Sequence, residues 1–456
     1  MWHRLQLVDF GRREIDRAPT KSHMLKPMLR DCELEIEMKK AFWLRFGLAA
    51  LAVTFTTFSA IPCSAQATAD DSFTFIHVNL IDGISNAPTM DATVVVANGR
   101  IQSIARGLLT TGPGKVIDLA GHWLLPGFVD AHVHVGNLAD AKRALRSGAT
   151  TIGEAGVNHF ADVGMRELNH KGVVDVPDVV AAGYHIRTHP ADDYFTDFPQ
   201  DADLMGGVHG TEAVRRMVRE MVSRGVNRIK VMATERAGTP DTDPRVRVLT
   251  EEELSAVVDE ANKTGLWVVA HAHGDEGAAA AVRAGVHCIE HGTYLSDATM
   301  KLMKEKGVYL DPTITALVDM SDPEGEYDNP ILQMRGKAML PTGREMAARA
   351  WKMGLKIVAG TDTSYFDKNN RTLADEMIEL SDAGLGPMDA IKAGTSVSAE
   401  ELGVDKRTGS IRAGYEADFV VIDRSPLENI RHIGDVVMVV NNGRVALNRL
   451  NVAPHQ

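Results

Sequence analysis

A single cadence of polar and apolar positions recurs through the middle of the chain. A charged, helix-compatible stretch ends in glycine and a short apolar run follows, at Gly148, Gly172, Gly225, Gly265, Gly285, Gly307 and Gly354. Glycine supplies the left-handed residue just past a helix, and the basic residues before it suit the helix's negative end. The runs that follow, such as Trp267–Ala270 and Lys356–Ala359, are mostly apolar without alternation, which predicts parallel strands buried on both faces. Thr250 and Glu253 form a capping box that opens one intervening helix, and the Glu251–Glu253 run suits that helix's first turn. With Trp123–Val133 as the first strand, the seven junctions make eight strands. The expected fold class is therefore α/β, a (β/α)8 TIM barrel over residues 125–400. A doubly wound open sheet is the competing arrangement, but no G-x-G-x-x-G follows the first strand.

The flanks follow a different pattern. Asn98-Gly99 and Asn442-Gly443 each lie next to runs rich in Val and Ile, a strong hairpin signal. Residues 68–124 and 401–456 are accordingly expected to build one small β-sandwich around the barrel. Ahead of them, the basic group Met38-Lys39-Lys40 and Arg45 precedes an uncharged run, Phe46–Ile61, closed by Ala65-Gln66-Ala67. That order predicts a signal peptide over 38–67 with cleavage before Thr68, and a periplasmic or secreted protein. The alternative, a membrane anchor, suits the short threonine-bearing run less well, and Pro62 before Cys63 argues against a lipoprotein signal. No stable membrane association is expected after cleavage. Residues 1–37 show no pattern and are expected to be an upstream extension of a chain that starts at Met38.

The chain has 456 residues, a formal net charge of −12, 3 Cys and 17 His. The negative balance argues against a nucleic-acid partner, since phosphate neutralisation needs clustered Lys and Arg. Three cysteines cannot build a disulfide framework or a thiolate zinc cluster, and Cys288 is expected to be a small buried residue. The histidines matter through their positions. His132-Val133-His134 ends the first strand, where i and i+2 share a face. Lys230, His271, His291 and Asp362 each fall five to eight positions after a helix-ending glycine, at strand ends that form the mouth of such a barrel. Any one of them reads most simply as a packed or surface residue. Together they resist that reading, because Lys and Asp in apolar strands are costly unless paired or coordinating. For Lys230 the competing interpretation is a buried ion pair with an acid such as Glu154.

Pro126–His134, Lys230, Ala270-His271-Ala272-His273, Ile289-Glu290-His291-Gly292 and Gly360-Thr361-Asp362 give the chain a resemblance to the amidohydrolase superfamily over residues 68–456. The likeness is to its branch of metal-dependent dipeptidases and carboxypeptidase-like amidases, ochratoxin-hydrolysing enzymes among them. The resemblance implies a binuclear centre. His132, His134 and Asp362 would hold one divalent ion, His271 and His291 the other, and Lys230, N-carboxylated by CO2, would bridge them. Imidazole and carboxylate donors suit Zn2+ or Mn2+, with zinc the default. A hydroxide between the metals would attack, and Asp362 would carry its proton to the leaving amine. Parity cannot separate His271 from His273, but the equal offsets of His271 and His291 from their glycines favour His271. His273 is left to touch substrate or to hydrogen-bond nearby. His185, Arg187 and His189 follow the third strand, where related peptidases place a histidine at the scissile carbonyl; Arg187 could hold a carboxylate. His287, at the closed end, is expected to be structural. The expected substrate is a dipeptide or N-acyl amino acid, ochratoxin A included, and homo-oligomers up to octamers occur in this branch. Hydrolysis of a cyclic amide or imidazolone, deamination, or a non-catalytic oligomeric scaffold are the other readings. Lys230 speaks against the first two and the full ligand set against the last.

Overall fold

The seven helix-ending glycines all adopt positive φ, from 61° at Gly172 to 113° at Gly148. The computed structural model describes residues 72–107, 114–172, 175–367 and 371–450. The predicted upstream extension, signal peptide, Cys63 and cleavage site lie outside the described residues. Among the described residues no helix is long and apolar enough to cross a membrane.

Fifteen strands are described. Those of the N-terminal flank are β1 (Phe73–Leu80), β2 (Thr89–Ala97), β3 (Arg100–Arg106), β4 (Lys115–Asp118) and β5 (Trp123–Pro126). The central ones are β6 (Phe128–Val133), β7 (Ala149–Glu154), β8 (Asp178–Val180), β9 (Ile229–Met232), β10 (Val268–Ala272), β11 (Cys288–His291) and β12 (Tyr309–Asp311). Those of the C-terminal flank are β13 (Phe419–Ile422), β14 (Val436–Asn441) and β15 (Arg444–Asn448).

The flanks join in one eight-stranded sheet, ordered β15-β14-β13-β5-β1-β2-β3 with β4 against β1. Asn98-Gly99 and Asn442-Gly443 turn its two hairpins with positive φ at both residues, the twist a tight antiparallel turn requires. Phe73, Phe75, Val94, Leu124, Phe419 and Met438 belong to its apolar cluster, and the Phe75 and Phe419 rings meet edge-on at 5.9 Å.

The predicted first strand divides. Its Trp123–Pro126 half pairs with β13 in the flank sheet, while Phe128–Val133 pairs with β7. The change comes at Gly127, where a Cβ would lie 2.1 Å from the Thr150 hydroxyl, so only glycine lets the chain pass so close.

The central strands are parallel and buried throughout: β6-β7-β8 form one sheet and β9-β10-β11-β12 another. Helices intervene as the cadence predicted. The helix over Thr211–Ser223 buries Val214, Met217, Val218 and Met221, a single i, i+3, i+4, i+7 stripe. Each such side chain contributes about 1.5–3 kcal/mol by leaving water. Parallel bridges Ile186–Val231, Leu310–Ile357 and Val133–Thr363 link the outer strands of these two sheets through residues 186 and 357–363. The expected eighth strand is thus present only as isolated pairings. Gly360 and the positive φ of Asp362 bend its backbone out of a regular ladder.

Beneath these strands Arg228 is 1% exposed. Its guanidinium donates to the carbonyls of Ala131 and Glu154, both at 2.9 Å, and lies 3.5 Å from the buried Glu401 carboxylate. Burial pushes Glu401 up to about 7, against the pull of Arg228 and Lys230. Arg228→Met should strip two buried carbonyls and one buried acid of their partner and cost about 3–5 kcal/mol. Urea unfolding of the variant should show this loss, and adding Glu401→Gln should restore part of it. Additive losses in the double variant would exclude the pairing.

Candidate metal centre

The parallel strands end in a buried cluster of imidazoles and acids. The His132 ring centroid lies 5.3 Å from that of His134 and 5.3 Å from that of His291; His271 and His273 each lie 4.5 Å from His291. Asp362 Oδ1 sits 3.3 Å from His132 Nε2 and 3.0 Å from His134 Nε2, while its Oδ2 is 4.0 Å from His291 Nδ1. Donor atoms converge in three overlapping triads: His132, His134 and Asp362; His271, His273 and His291; and His132, Glu290 and His291. Five of the six ligands proposed from sequence fall in these triads, joined by His273 and Glu290, and the sixth, Lys230, lines the same inner cavity.

Two observations test whether this donor set fits a metal. The second ring nitrogens are already engaged: His134 Nδ1 with the Gly156 carbonyl at 2.8 Å, His273 Nδ1 with Thr293 Oγ1 at 2.9 Å and His291 Nδ1 with Thr313 Oγ1 at 2.7 Å. Such outer hydrogen bonds fix a ring and leave Nε2 for a ligand. Burial also keeps four of the rings neutral with lone pairs available, lowering His132 and His273 to about 3 and His271 and His291 far below the usual range. Burial works to raise the Asp362 carboxyl, but its interactions with His132, His134 and His291, hydrogen bonds from the first two among them, outweigh it and hold it well below the carboxylate range. The donors fit a divalent ion.

Lys230 is buried in β9, and its Nζ contacts Glu290 of β11, not Glu154. Glu154 is engaged elsewhere, accepting the Val135 N–H at 2.6 Å. Burial pushes the Lys230 ammonium down to about 7, Arg228 adds to the fall, and Asp362 and Asp311 oppose it.

The backbone is bent to present these groups. His291 (φ 73°), Thr313 (φ 45°) and Asp362 (φ 54°) are left-handed without being glycine, which costs about 1–3 kcal/mol each. A Cβ at Gly360 would lie 2.2 Å from Asp311 Oδ2 and 2.6 Å from His132 Cβ, so glycine is required beneath the centre. Asp130 ties the segment after Gly360 to the first strand, accepting from Thr361 Oγ1 at 2.8 Å and Tyr365 Oη at 2.7 Å.

Two cavities meet over the cluster. An inner one of about 30 Å3 touches the imidazoles, and an outer one of about 940 Å3 opens above it. His134, His185, Arg236, Tyr327 and Asp362 line both and form the neck. Of the residues expected from the third strand, His185 packs against His134 with centroids 5.8 Å apart, in space that Gly156 leaves open. Arg187 lines the outer cavity, whereas His189 is exposed, with Nδ1 3.2 Å from Thr188 Oγ1, and lines neither. Among the described residues neither the Arg187 nor the Arg236 guanidinium has a hydrogen-bond or ion-pair partner; burial and Arg236 push Arg187 down. His287 lies apart, 3.2 Å from the Glu401 carbonyl, and Cys288 is a buried free thiol.

Sequence reasoning missed Glu290, Asp130, Arg236 and Tyr327. The cost of an acid inside an apolar strand, the argument applied to Lys230, would have found Glu290. Arg236 and Tyr327 sit on loops with no periodic signal.

The sequence profile of the Amidohydrolase family matches residues 123–446. Ochratoxinase from Aspergillus niger is 33% identical over 223 residues, which are 49% of this chain and 46% of that protein. The match thus spans about half the length of that curated relative. The crystal structure of a Xaa-Pro dipeptidase with bound methionine in its active site superposes with a TM-score of 0.74 at 28% identity, covering 82% of this chain and 99% of that one. A prolidase complexed with N-methylphosphonate-L-proline superposes with a TM-score of 0.71 at 26% identity, over 82% of this chain and 99% of that one.

Zinc uptake by chelator-stripped protein in bicarbonate buffer should rise with pH through about 7. Above that value the Lys230 amine is neutral and able to take up CO2, whereas His132, His271 and His291 are neutral on both sides of it. Metal analysis between about pH 5.5 and 8.5 reads this, and Lys230→Ala should flatten the curve. A flat curve for the unsubstituted protein would exclude Lys230 as the titrating donor.

Proposed function

The chain belongs to the amidohydrolase family, and from that premise we propose that it is a binuclear metal-dependent hydrolase of the amide bond in a dipeptide or N-acyl amino acid, ochratoxin A included. One observation carries the reading: buried donor triads that share ligands close the floor of a cavity whose neck also bears an unpaired arginine. His132, His134 and Asp362 would hold one ion and His271 and His291 the other, with Lys230, as its carbamate, between them. Zinc is the ion that neutral imidazoles and carboxylates suit best.

The bound ions would polarise the substrate carbonyl and lower the pKa of a water held there towards about 7. Asp362, kept ionised at the neck, accepts the water's proton as the oxygen adds to the carbonyl carbon. The same proton passes to the amine nitrogen as the C–N bond breaks, so the products are a free amine and a carboxylic acid that loses its own proton to solvent. His185, beside His134 at the neck, would stabilise the oxyanion. Arg187 and Arg236 offer guanidinium forks to a substrate carboxylate. The outer cavity of about 940 Å3 has room for a bulky acyl group.

The central strands are taken to close into a barrel, supported by the three bridges between the two parallel sheets. The flank sheet is taken to curl into a sandwich, supported by the Arg100–Glu416 bridge across it and its shared apolar cluster. Export rests on the order of residues 38–67, and homo-oligomerisation on the sequence resemblance.

Purified protein loaded with zinc should release amino acid from N-acyl amino acids or dipeptides. Lys230→Ala should abolish turnover and lower the metal content; full activity with unchanged metal would sink the binuclear reading. Asp362→Asn should cut kcat by about 10^2–10^4-fold, and retained turnover would remove its proton role.

A further inference from the structure

Arg335 stands in the second turn of the helix over Pro330–Met353, whose start is capped by Asn329. Among the described residues its guanidinium ion-pairs with no carboxylate and instead gathers four carbonyls of one loop. Nη1 donates to Ala237 at 2.6 Å and Thr239 at 2.7 Å, and Nη2 donates to Pro240 at 3.0 Å and Thr242 at 2.7 Å. The loop also binds itself, since Thr242 Oγ1 donates to the Arg236 carbonyl at 2.5 Å and the Thr239 carbonyl at 2.7 Å. The residue that leads into this wrapped loop is Arg236.

The opposite side of the neck is carried by the segment just before the same helix. There Tyr327 lines both cavities, and its carbonyl accepts from Gln333 of the helix at 3.2 Å. Tyr327 packs on the loop so closely that a Cβ at Gly238 would lie 2.9 Å from its ring. Ala237 and Leu332 belong to one small apolar cluster against which Tyr327 packs. Both walls of the neck are therefore referred to one helical turn, and Arg335 is the polar link. Its planar fork can satisfy four carbonyls at once, which a lysine cannot do.

We propose that Arg335 is a positioning residue for specificity: by holding the 237–242 loop it fixes Arg236 against Tyr327 at the neck and so sets where a substrate carboxylate is received. This rests on the reading above, in which Arg236 binds that carboxylate. Arg335 touches none of the ligands and lines neither cavity itself, reaching the inner one only through the Ala237 carbonyl, so its effect is expected in KM rather than in metal content.

The test compares an N-acyl amino acid with its carboxamide on zinc-loaded enzyme. The unsubstituted enzyme should prefer the carboxylate in kcat/KM by about tenfold or more. Arg335→Ala should raise KM for the carboxylate about tenfold with kcat within about threefold, leave the carboxamide unchanged, and so erase the preference. Arg335→Lys should fail to rescue it. In an Arg236→Ala background, Arg335→Ala should add nothing, as expected of a residue acting through another. No preference in the unsubstituted enzyme would overturn the carboxylate reading itself. A preference that survives in both Arg335 variants, or additive losses with Arg236→Ala, would overturn the positioning role alone. Should Arg335→Ala not fold, Arg335→Lys decides, with trypsin as second readout: cleavage after Arg236 or Arg245 should quicken, and unchanged cleavage with unchanged preference overturns the proposal.

Discussion

Desolvation at the ends of the parallel strands is the constraint on which the rest of this structure depends. His132, Lys230, His271, Glu290, His291 and Asp311 are all nearly inaccessible to water, in strands that are otherwise apolar. Charges in such a place cost several kcal/mol each unless they are matched. The protein matches some of them internally, Lys230 with Glu290 and Arg228 with Glu401. Others are matched less closely: His132 Nδ1 and both Asp311 oxygens are buried without a hydrogen bond, although Nδ1 lies 3.5 Å from Glu290 Oε1 and 3.6 Å from Asp311 Oδ2. Neutral imidazoles facing an ionised Asp362 are a set of lone pairs awaiting positive charge, so the burial that is costly for folding creates affinity for a cation.

That arrangement is held by backbone as much as by side chains. His291 and Asp362 leave their strands in left-handed conformations, and Gly360 and Gly156 clear the space that His132 and His185 occupy. Strain of this kind persists only when the surroundings over-determine it. Here the Asp130 carboxylate does so, tying Thr361 and Tyr365 on either side of Asp362 to the strand that bears His132. Burial raises Asp130 to about 6, while its hydrogen bonds from Tyr365, Thr361 and His132 pull the other way. Asp362 is thus aligned by a second acid that lines neither cavity.

How far the sequence discloses this follows from the range of each interaction. The glycine cadence is local, because one left-handed residue ends one helix, and each of the seven positions adopts positive φ. The H-x-H pair is local as well. Partner choice is not. Glu154 is the acid named for the competing ion pair with Lys230, yet Lys230 reaches across β10 to Glu290 and Glu154 accepts the Val135 amide. The break at Gly127 was hidden because both halves of the apolar run are buried strands, and hydrophobicity does not say which sheet a strand joins. Arg236, Tyr327 and Arg335 lie in or beside irregular segments, where no period marks a face.

The neck joins these two kinds of information. Its inner side is built from strand-end residues, His134 and Asp362, that the cadence locates; its outer side comes from Arg236 and Tyr327, which only tertiary packing brings there. The inner cavity of about 30 Å3 is too small for an acyl group, so the bulk of any substrate must lie in the outer cavity of about 940 Å3. The reacting carbonyl then has to sit at the neck, beside the one carboxylate that faces both spaces. On the proposed reading, chemistry would be fixed by the strand ends and selectivity by loops whose position a helix enforces. Loops can change without disturbing the buried donors, which is why one buried centre is compatible with many substrates and why its ligands alone do not name them.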